Sequence, residues 1–111
     1  MDLSLSIRTI GERIVLDVAG EVDVYSSPSL QERISSLIDL TNSSLVVNLS
    51  AVTFLDSTGI GTLVAGLNRA NQFGGTLLLV TDQERIMKLF RITGLDAVFT
   101  IFGTVEEAAH A

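Results

Sequence analysis

Apolar and polar residues alternate at the start of the chain, which is the period of a half-exposed strand. The alternating apolar residues are Leu3, Leu5 and Ile7. Gly11 and Glu12 follow and suit a two-residue hairpin turn, because glycine readily takes a positive φ. Residues 13–19 then predict a returning strand, and residues 20–23 are expected to end it and open a loop. The N-terminal part of the chain is therefore predicted to form an antiparallel hairpin.

Three later segments carry apolar residues at intervals of three and four, the spacing of an amphipathic helix. Their apolar stripes are Leu30, Ile34, Leu37 and Ile38, then Ile60, Leu63, Val64 and Leu67, and then Ile86, Leu89 and Phe90. The predicted N-caps are Ser27, Asp56 and Asp82. Pro28 suits the first position of the first helix. The glycines at 74–75 and Gly94 predict the ends of the second and third helices.

Nearly continuous apolar runs at 45–49 and 76–80 predict strands that are buried on both faces, as in a parallel sheet. Residues 97–102 predict a short last strand, and residues 104–107 have the Thr-x-x-Glu spacing of a capping box. Helices between strands imply right-handed parallel crossovers. The sequence therefore predicts a single α/β domain over residues 1–111. Its mostly parallel five-stranded sheet has an antiparallel N-terminal edge strand and is joined by four helices.

The composition supports a packed aliphatic core, since 47% of the residues are hydrophobic and only 5% are aromatic. The formal net charge is −6, from thirteen acidic and seven basic residues. Nucleic acids and anionic membranes are bound through clustered Lys and Arg, so we expect neither as a direct partner. The chain begins without a basic stretch followed by an apolar block, so we expect no secretory leader and a cytoplasmic location.

The sequence offers little material for catalysis. The single histidine, His110, is one residue from the end of the chain, so no Ser-His-Asp arrangement in a cleft is expected. The absence of cysteine excludes thiolate chemistry and cysteine-based metal sites. Gly59 and Gly61 lack the third glycine of a dinucleotide-binding loop, because Val64 stands at that position. We therefore expect a protein that is not an enzyme and that needs no cofactor or metal ion.

A polar cluster follows the third predicted strand. Asp56, Ser57 and Thr58 lie where this strand leads into the second helix, at the carboxyl edge where open α/β sheets engage their ligands. Glu21 and Asp23 leave the preceding strand at the same edge, so we expect these acids to gather around Ser57. The cluster also has a purely structural interpretation, since Asp and Ser are favoured N-caps. Local chemistry alone leaves both interpretations open.

Four short blocks of sequence occur together along the chain. They are residues 20–23 (Gly-Glu-Val-Asp), 54–61 (Phe-Leu-Asp-Ser-Thr-Gly-Ile-Gly), 74–75 (Gly-Gly) and 89–95 (Leu-Phe-Arg-Ile-Thr-Gly-Leu). In these blocks and in their order, the chain resembles the STAS-domain anti-sigma factor antagonists, bacterial regulators of stress and sporulation sigma factors. The similarity extends over essentially the whole chain, and the predicted order of strands and helices agrees with the fold of that family.

The resemblance implies a function in partner switching. In that family, the unphosphorylated protein binds an anti-sigma factor, which is also an ATP-dependent serine kinase, and thereby frees the sigma factor. The kinase phosphorylates the serine that follows the aspartate of the Asp-Ser-Ser/Thr-Gly motif, which is Ser57 here, and a serine phosphatase reverses the modification. Only the resemblance selects Ser57 over the neighbouring Thr58.

The expected partner surface comprises Glu21, Asp23, Asp56, Ser57, Thr58, Gly59 and Ile60. The resemblance suggests Asp23 in particular as a neighbour of the modified serine. The alternative function is that of a non-catalytic scaffold or accessory STAS module, belonging to a transporter or to another signalling complex. Phosphorylation by an anti-sigma kinase would distinguish the two functions.

Overall fold

The computed structural model describes residues 2–111, which form a five-stranded sheet with helices on its faces. The strands are β1 (Leu3–Ile10), β2 (Arg13–Val22), β3 (Leu45–Leu55), β4 (Leu77–Val80) and β5 (Thr100–Phe102). The helices are α1 (Ser27–Leu37), α2 (Ser57–Gln72), α3 (Glu84–Ile92) and α4 (Val105–Ala109), and a 3₁₀ turn at Leu95–Ala97 precedes β5.

The strands lie across the sheet in the order of the chain. β1 runs antiparallel to β2 and is joined to it by a turn at Gly11, which has a φ of 60°. The other neighbouring strands run parallel to one another. The predicted fold class is therefore confirmed, with a mostly parallel five-stranded sheet, an antiparallel N-terminal edge strand and four helices.

The pleat of the sheet divides the apolar side chains between two faces. The larger cluster joins α1, α2 and α3 to the sheet, and its buried members include Leu16, Leu30, Val47, Leu63, Leu79 and Phe90. The smaller cluster joins α4 to the opposite face, through Val15, Val46, Leu78, Val80, Val105 and Ala108. Consecutive residues at positions 45–47 of β3 and throughout β4 thus enter different clusters, which explains the nearly continuous apolar runs there.

Helices α1 and α2 pack closely against each other at Gly66. A Cβ atom at this position would lie 2.9 Å from Ile34 Cγ2 and 2.9 Å from Leu77 Cδ1. Farther along α2, Arg69 Nε donates hydrogen bonds to the carbonyl oxygens of Ser35 and Ile38, which holds the end of α1. This packing sets the two helices side by side, with their first turns at the same edge of the sheet.

Strands β2 and β3 are longer than the sequence predicts. They run to Val22 and Leu55 instead of ending at residues 19 and 49. Their pairing resumes after two shifts of register and sets Val22 opposite Leu55. Such bulges interrupt the regular alternation of apolar and polar residues, so the extensions have no strand pattern in the sequence. The extensions bring both chain segments to one edge, immediately before the candidate site.

Two of the predicted N-caps are wrong. The residue that precedes α1 is Ser26 rather than Ser27, and the residue that precedes α3 is Gln83 rather than Asp82. Neither cap residue bonds its own helix through its side chain. The Ser26 hydroxyl donates instead to the carbonyl oxygen of Glu21 at 2.8 Å, and the Gln83 amide donates to the backbone of β3. These polar side chains link loops to strands by hydrogen bonds, and the residues next to them in the sequence do not indicate such bonds.

The last strand begins at Thr100 rather than at residue 97, because the 3₁₀ turn occupies Leu95–Ala97. Gly94, with a φ of 75°, follows the end of α3 as predicted. The predicted cap of α4 is confirmed, since Thr104 Oγ1 accepts a hydrogen bond from the backbone N–H of Glu107 at 3.2 Å.

Candidate functional site

Asp56 joins the end of β3 to the start of α2. Its backbone N–H donates to the carbonyl oxygen of Val22 at 3.2 Å, which ties the ends of β2 and β3 together. Its carboxylate caps α2 as predicted, because Oδ1 accepts a hydrogen bond from the backbone N–H of Gly59 at 3.0 Å. Ser57 and Thr58 are thereby held in the first turn of α2.

The side chains of Ser57 and Thr58 are both exposed, but their hydroxyl groups have different surroundings. Thr58 Oγ1 donates a hydrogen bond to Asp56 Oδ1 at 2.7 Å. Within residues 2–111, Ser57 Oγ has no hydrogen-bond partner. The hydroxyl of Ser57 is therefore the one that is free to turn toward another molecule.

Hydrogen bonds hold the Asp56 carboxyl in its ionised form. The bond from the Thr58 hydroxyl is the main cause that lowers the pKa of Asp56, followed by the bond from the Gly59 N–H. Partial burial opposes them, while the backbone N–H groups of Thr58 and Val24 lower this pKa further. Because Thr58 and Gly59 belong to the first turn of α2, the helix dipole also favours a negative charge here.

Gly59 and Gly61 have similar sequence surroundings but different structural roles. A Cβ atom at Gly59 would lie 2.6 Å from Leu55 Cδ1 and 2.7 Å from Val22 Cγ1, so glycine is needed for α2 to approach the sheet. A Cβ atom at Gly61 would meet no atom of residues 2–111 within 4 Å, apart from the nearby backbone of its own helix. Ile60 lies between them and is only 9% exposed, because its side chain packs in the core. Gly61 thus faces outward, whereas Gly59 and Ile60 face the interior.

A groove between the first turns of α1 and α2 lies beside Ser57 and has a volume of about 470 Å³. It is lined by Val24, Ser27, Pro28, Gln31, Ser57, Thr58, Gly61, Thr62 and Ala65. All of these residues are uncharged, and most of them are small. Within residues 2–111, the buried Ser27 Oγ has no hydrogen-bond partner. The groove therefore suits a neutral segment of another molecule better than a charged one.

The acidic residue Asp23 lies at the same sheet edge but turns its carboxylate into its own loop. Its Oδ1 accepts hydrogen bonds from the backbone N–H groups of Tyr25 and Ser26, each at 2.9 Å. Asp23 borders a different cavity from the one that Ser57 borders. Within residues 2–111, the Asp23 carboxylate therefore accepts no hydrogen bond from Ser57 or Thr58.

Glu21 belongs to the extended part of β2 and pairs with Phe54 of β3. Its neighbour Val22 packs toward Gly59, on the face of the sheet that α2 covers. Because successive side chains of a strand point to opposite faces, Glu21 projects from the other face. The structure thus places Glu21 near the edge, but separates its side chain from the helix that carries Ser57.

Val24, Pro28 and Gln31 form the α1 side of the groove and were not predicted as site residues. The sequence marks these three residues only weakly as part of a site. Val24 is an apolar residue in a loop and is 56% exposed, and positions 28 and 31 lie on α1 away from its apolar stripe. What brings them beside Ser57 is the packing of α1 on α2, which involves residues far apart in the sequence.

The site combines an exposed hydroxyl with an uncharged groove. It presents a free hydroxyl at the N-terminus of a long helix, where backbone N–H groups favour an anion. In the part of the chain that the structure describes, no group of three His, Asp or Glu side chains is placed to hold a metal ion. None of the helices over residues 2–111 is long and apolar enough to cross a membrane.

Comparison with known proteins identifies the family. The model of the STAS domain matches residues 4–108. The chain belongs to the STAS domain family. The anti-sigma-B factor antagonist of Bacillus subtilis (strain 168) is 35% identical over 101 residues, which cover 91% of this chain and 92% of that protein. The anti-sigma-B factor antagonist of Staphylococcus aureus (strain NCTC 8325 / PS 47) is 36% identical over 95 residues, which cover 86% and 88%.

Solved STAS structures share the fold. An anti-sigma factor antagonist from Mycobacterium paratuberculosis matches with a TM-score of 0.87 and 27% identity, over 96% of this chain and 91% of the other. The Bacillus cell fate determinant SpoIIAA in its phosphorylated form matches with a TM-score of 0.71 and 21% identity, over 95% and 96%. The resemblance found in the sequence is therefore confirmed, and STAS proteins of this kind are generally non-catalytic.

Proposed function

We propose that this protein is an anti-sigma factor antagonist of the partner-switching type. Its unphosphorylated form binds an anti-sigma factor and thereby frees a sigma factor, and phosphorylation of Ser57 ends that binding. The observation that carries the proposal is the free, exposed hydroxyl of Ser57 in the first turn of α2, beside a neutral groove. The 35% identity to an anti-sigma-B factor antagonist, over nearly the whole of both chains, supports it.

The groove between α1 and α2 is the centre of the proposed partner surface. Ser57, Thr58 and Gly61 form its α2 side, and Val24 and Pro28 form its α1 side. An apolar or small polar side chain of the anti-sigma factor fits between these walls, because no charged group has to be desolvated there. Contact with both helices would place the partner directly against the hydroxyl of Ser57.

The other predicted site residues contribute around this centre. Glu21 and Asp23 provide negative charge at the same sheet edge and are suited to basic groups of the partner. Asp56, Gly59 and Ile60 hold the first turn of α2 against the sheet.

Phosphorylation of Ser57 acts on the interface rather than on the fold. A phosphate adds about −1.5 to −2 charges, and the N-terminus of α2 favours an anion. With a partner carboxylate about 6 Å away and an effective dielectric constant of about 20, the repulsion is about 4–5 kcal/mol before screening. Half of this energy weakens binding by more than tenfold.

The proposed function requires enzymes that this chain does not supply. An ATP-dependent serine kinase, which is the anti-sigma factor itself, adds the phosphate, and a serine phosphatase removes it. The chain acts in the cytoplasm as their substrate, is itself no enzyme, and contacts neither nucleic acid nor membrane.

Incubation with ATP and candidate anti-sigma kinases, followed by mass spectrometry, tests this proposal. We expect one phosphate on Ser57 of the wild-type protein and none at this position in the Ser57→Ala variant. Ser50→Ala, which changes another exposed serine, is the matched control and should accept phosphate as the wild type does. The unphosphorylated protein should form a stable complex with the same kinase.

Two outcomes would contradict the proposal. A complex that forms without any phosphate transfer would indicate the alternative function, that of a scaffold or accessory module. Failure of the folded protein to bind or be phosphorylated by any anti-sigma factor encoded in the same genome would exclude both parts of the proposed switch.

A further inference from the structure

Two neighbouring hydroxyl groups are available for modification in the first turn of α2. Ser57 and Thr58 are both exposed, so accessibility does not distinguish them. A serine/threonine kinase can in principle accept either hydroxyl. A difference between the two hydroxyls must therefore be sought in their surroundings.

The hydrogen bonds of the two hydroxyls are different. Thr58 Oγ1 donates to Asp56 Oδ1 at 2.7 Å, and the same carboxylate oxygen accepts the N–H of Gly59 at 3.0 Å. The Thr58 side chain is thereby held against the capping carboxylate. Ser57 Oγ has no such partner within residues 2–111, and its χ1 rotation is not restricted by a hydrogen bond.

Phosphoryl transfer requires a hydroxyl that can reorient. The attacking oxygen forms a bond to the γ-phosphorus of ATP while the bond from that phosphorus to ADP breaks, and the hydroxyl proton passes to a base of the kinase. For Thr58 this would first require loss of a short, charge-assisted hydrogen bond. The product would then hold a dianionic phosphate beside an ionised carboxylate. The first cost does not apply to Ser57, because its hydroxyl makes no hydrogen bond within residues 2–111.

We propose that Asp56 is a positioning residue that directs phosphorylation to Ser57, because its carboxylate engages the hydroxyl of Thr58 and repels a phosphate there. This selection rests on the proposed function, since it concerns the same modification site. Asp56 would thus both cap α2 and direct phosphorylation, and a neutral capping residue would perform the second role less well because it carries no charge. The lowered pKa of Asp56 is consistent with it, since a weakly basic carboxylate does not activate Thr58 by taking its proton.

The first test uses the kinase that phosphorylates the wild-type protein, with mass spectrometry to locate the phosphate. The Ser57→Ala variant should accept phosphate at Thr58 at less than a tenth of the wild-type rate. The double variant Ser57→Ala/Asp56→Ala should accept phosphate at Thr58 at least tenfold faster than Ser57→Ala alone. The matched double variant Ser57→Ala/Asp56→Asn keeps a hydrogen-bond acceptor without the charge, and its rate should lie between the two.

The second test needs no kinase, so it holds even if substitution of Asp56 prevents docking. Phosphoserine is incorporated during translation at position 57 or at position 58, and thermal unfolding is followed by circular dichroism. Phosphate at position 58 should give a melting temperature lower by about 3–6 °C than phosphate at position 57, a measurable shift for a domain of this size. The difference should become less than half as large in the Asp56→Ala background.

The results separate this selection from the proposed function. No phosphate on the wild-type protein would contradict the function alone, and the unfolding experiment would still test the selection. Efficient phosphorylation of Thr58 in the Ser57→Ala variant would overturn the selection while leaving the switch intact. Equal melting temperatures for phosphate at the two positions, or a difference that is unchanged by Asp56→Ala, would also overturn it.

Discussion

At the scale of single residues, Asp56 couples the start of α2 to pH. Its folded-state pKa lies below the ordinary value of about 3.9, so its ionised form is more stable in the folded protein. The resulting stability is present above pH 4 and is lost as the pH falls through the folded pKa. A neutral replacement at this position removes that dependence.

We therefore predict how the stability of Asp56→Asn differs from that of the wild type. At pH 7 the difference in unfolding free energy should be below about 1 kcal/mol, because Asn is also a good N-cap. The wild-type advantage should shrink as the pH falls below about 4 and through the lowered pKa of Asp56. Urea unfolding at several pH values measures it, with Asp82→Asn as the control, since Asp82 caps no helix. If the wild type instead became more stable relative to Asp56→Asn as the pH fell, the lowered pKa of Asp56 would be contradicted.

Gly59 and Gly61 offer a second residue-scale prediction because their surroundings are opposite. Gly59→Ala should destabilise the protein by about 1–3 kcal/mol, since the added methyl group would overlap Leu55 and Val22. Gly61→Ala should stabilise it by about 0.5–1 kcal/mol, because alanine is the better helix former and its Cβ meets no other group. Chemical unfolding measures the free energy of unfolding of the two variants. Equal changes in both would contradict this packing of α2.

At the scale of elements, the groove between α1 and α2 carries the proposed interface. Gly61 lines it with no side chain of its own, so Gly61→Phe should fill it without disturbing the core. We expect this variant to keep its cooperative unfolding and to bind the anti-sigma factor more than tenfold more weakly. Isothermal titration calorimetry measures the affinity.

The matched control for this element is Asn71→Phe, an exposed position near the other end of α2. It adds the same side chain to the same helix, away from the groove. Unchanged binding by Gly61→Phe, or an equal loss in both variants, would exclude the groove as the docking surface.

The helices and strands also show which structural features can be predicted from the sequence and which cannot. The stripes of α1, α2 and α3 and the buried runs of β3 and β4 were predicted because their periodicity is regular. The Asp56 cap was predicted because a cap depends only on residues within one turn. Ser26 and Ser27 could not be distinguished as caps, because the Ser26 hydroxyl donates to the carbonyl oxygen of Glu21, five residues earlier, and caps no N–H group of α1.

The candidate site was predicted only in part for the same reason. Ser57 and Asp56 belong to one local motif, whereas Val24 and Pro28 join the site through the packing of α1 on α2 at Gly66. The carboxylate of Asp23 was expected near Ser57, but hydrogen bonds within its own loop set its direction. The direction in which a side chain points depends on its contacts in the folded protein, and the spacing of apolar residues does not predict those contacts.

At the scale of the whole molecule, one added charge has to change partner choice while the fold persists. The protein already carries a net charge of −6, so a phosphate changes the total modestly. Its local effect is large because it enters at the centre of the proposed interface, beside the groove. The N-terminus of α2 stabilises an anion, which protects the fold from the same charge.

The most direct test is the affinity of the anti-sigma factor for the protein with and without phosphate on Ser57, measured by calorimetry at one salt concentration. Thermal unfolding of the same two samples checks the fold. We predict that phosphorylation weakens binding by more than tenfold while the melting temperature changes by less than about 4 °C, equivalent to under 1 kcal/mol. Equal affinities, or a loss of binding that comes with unfolding of the domain, would contradict the account.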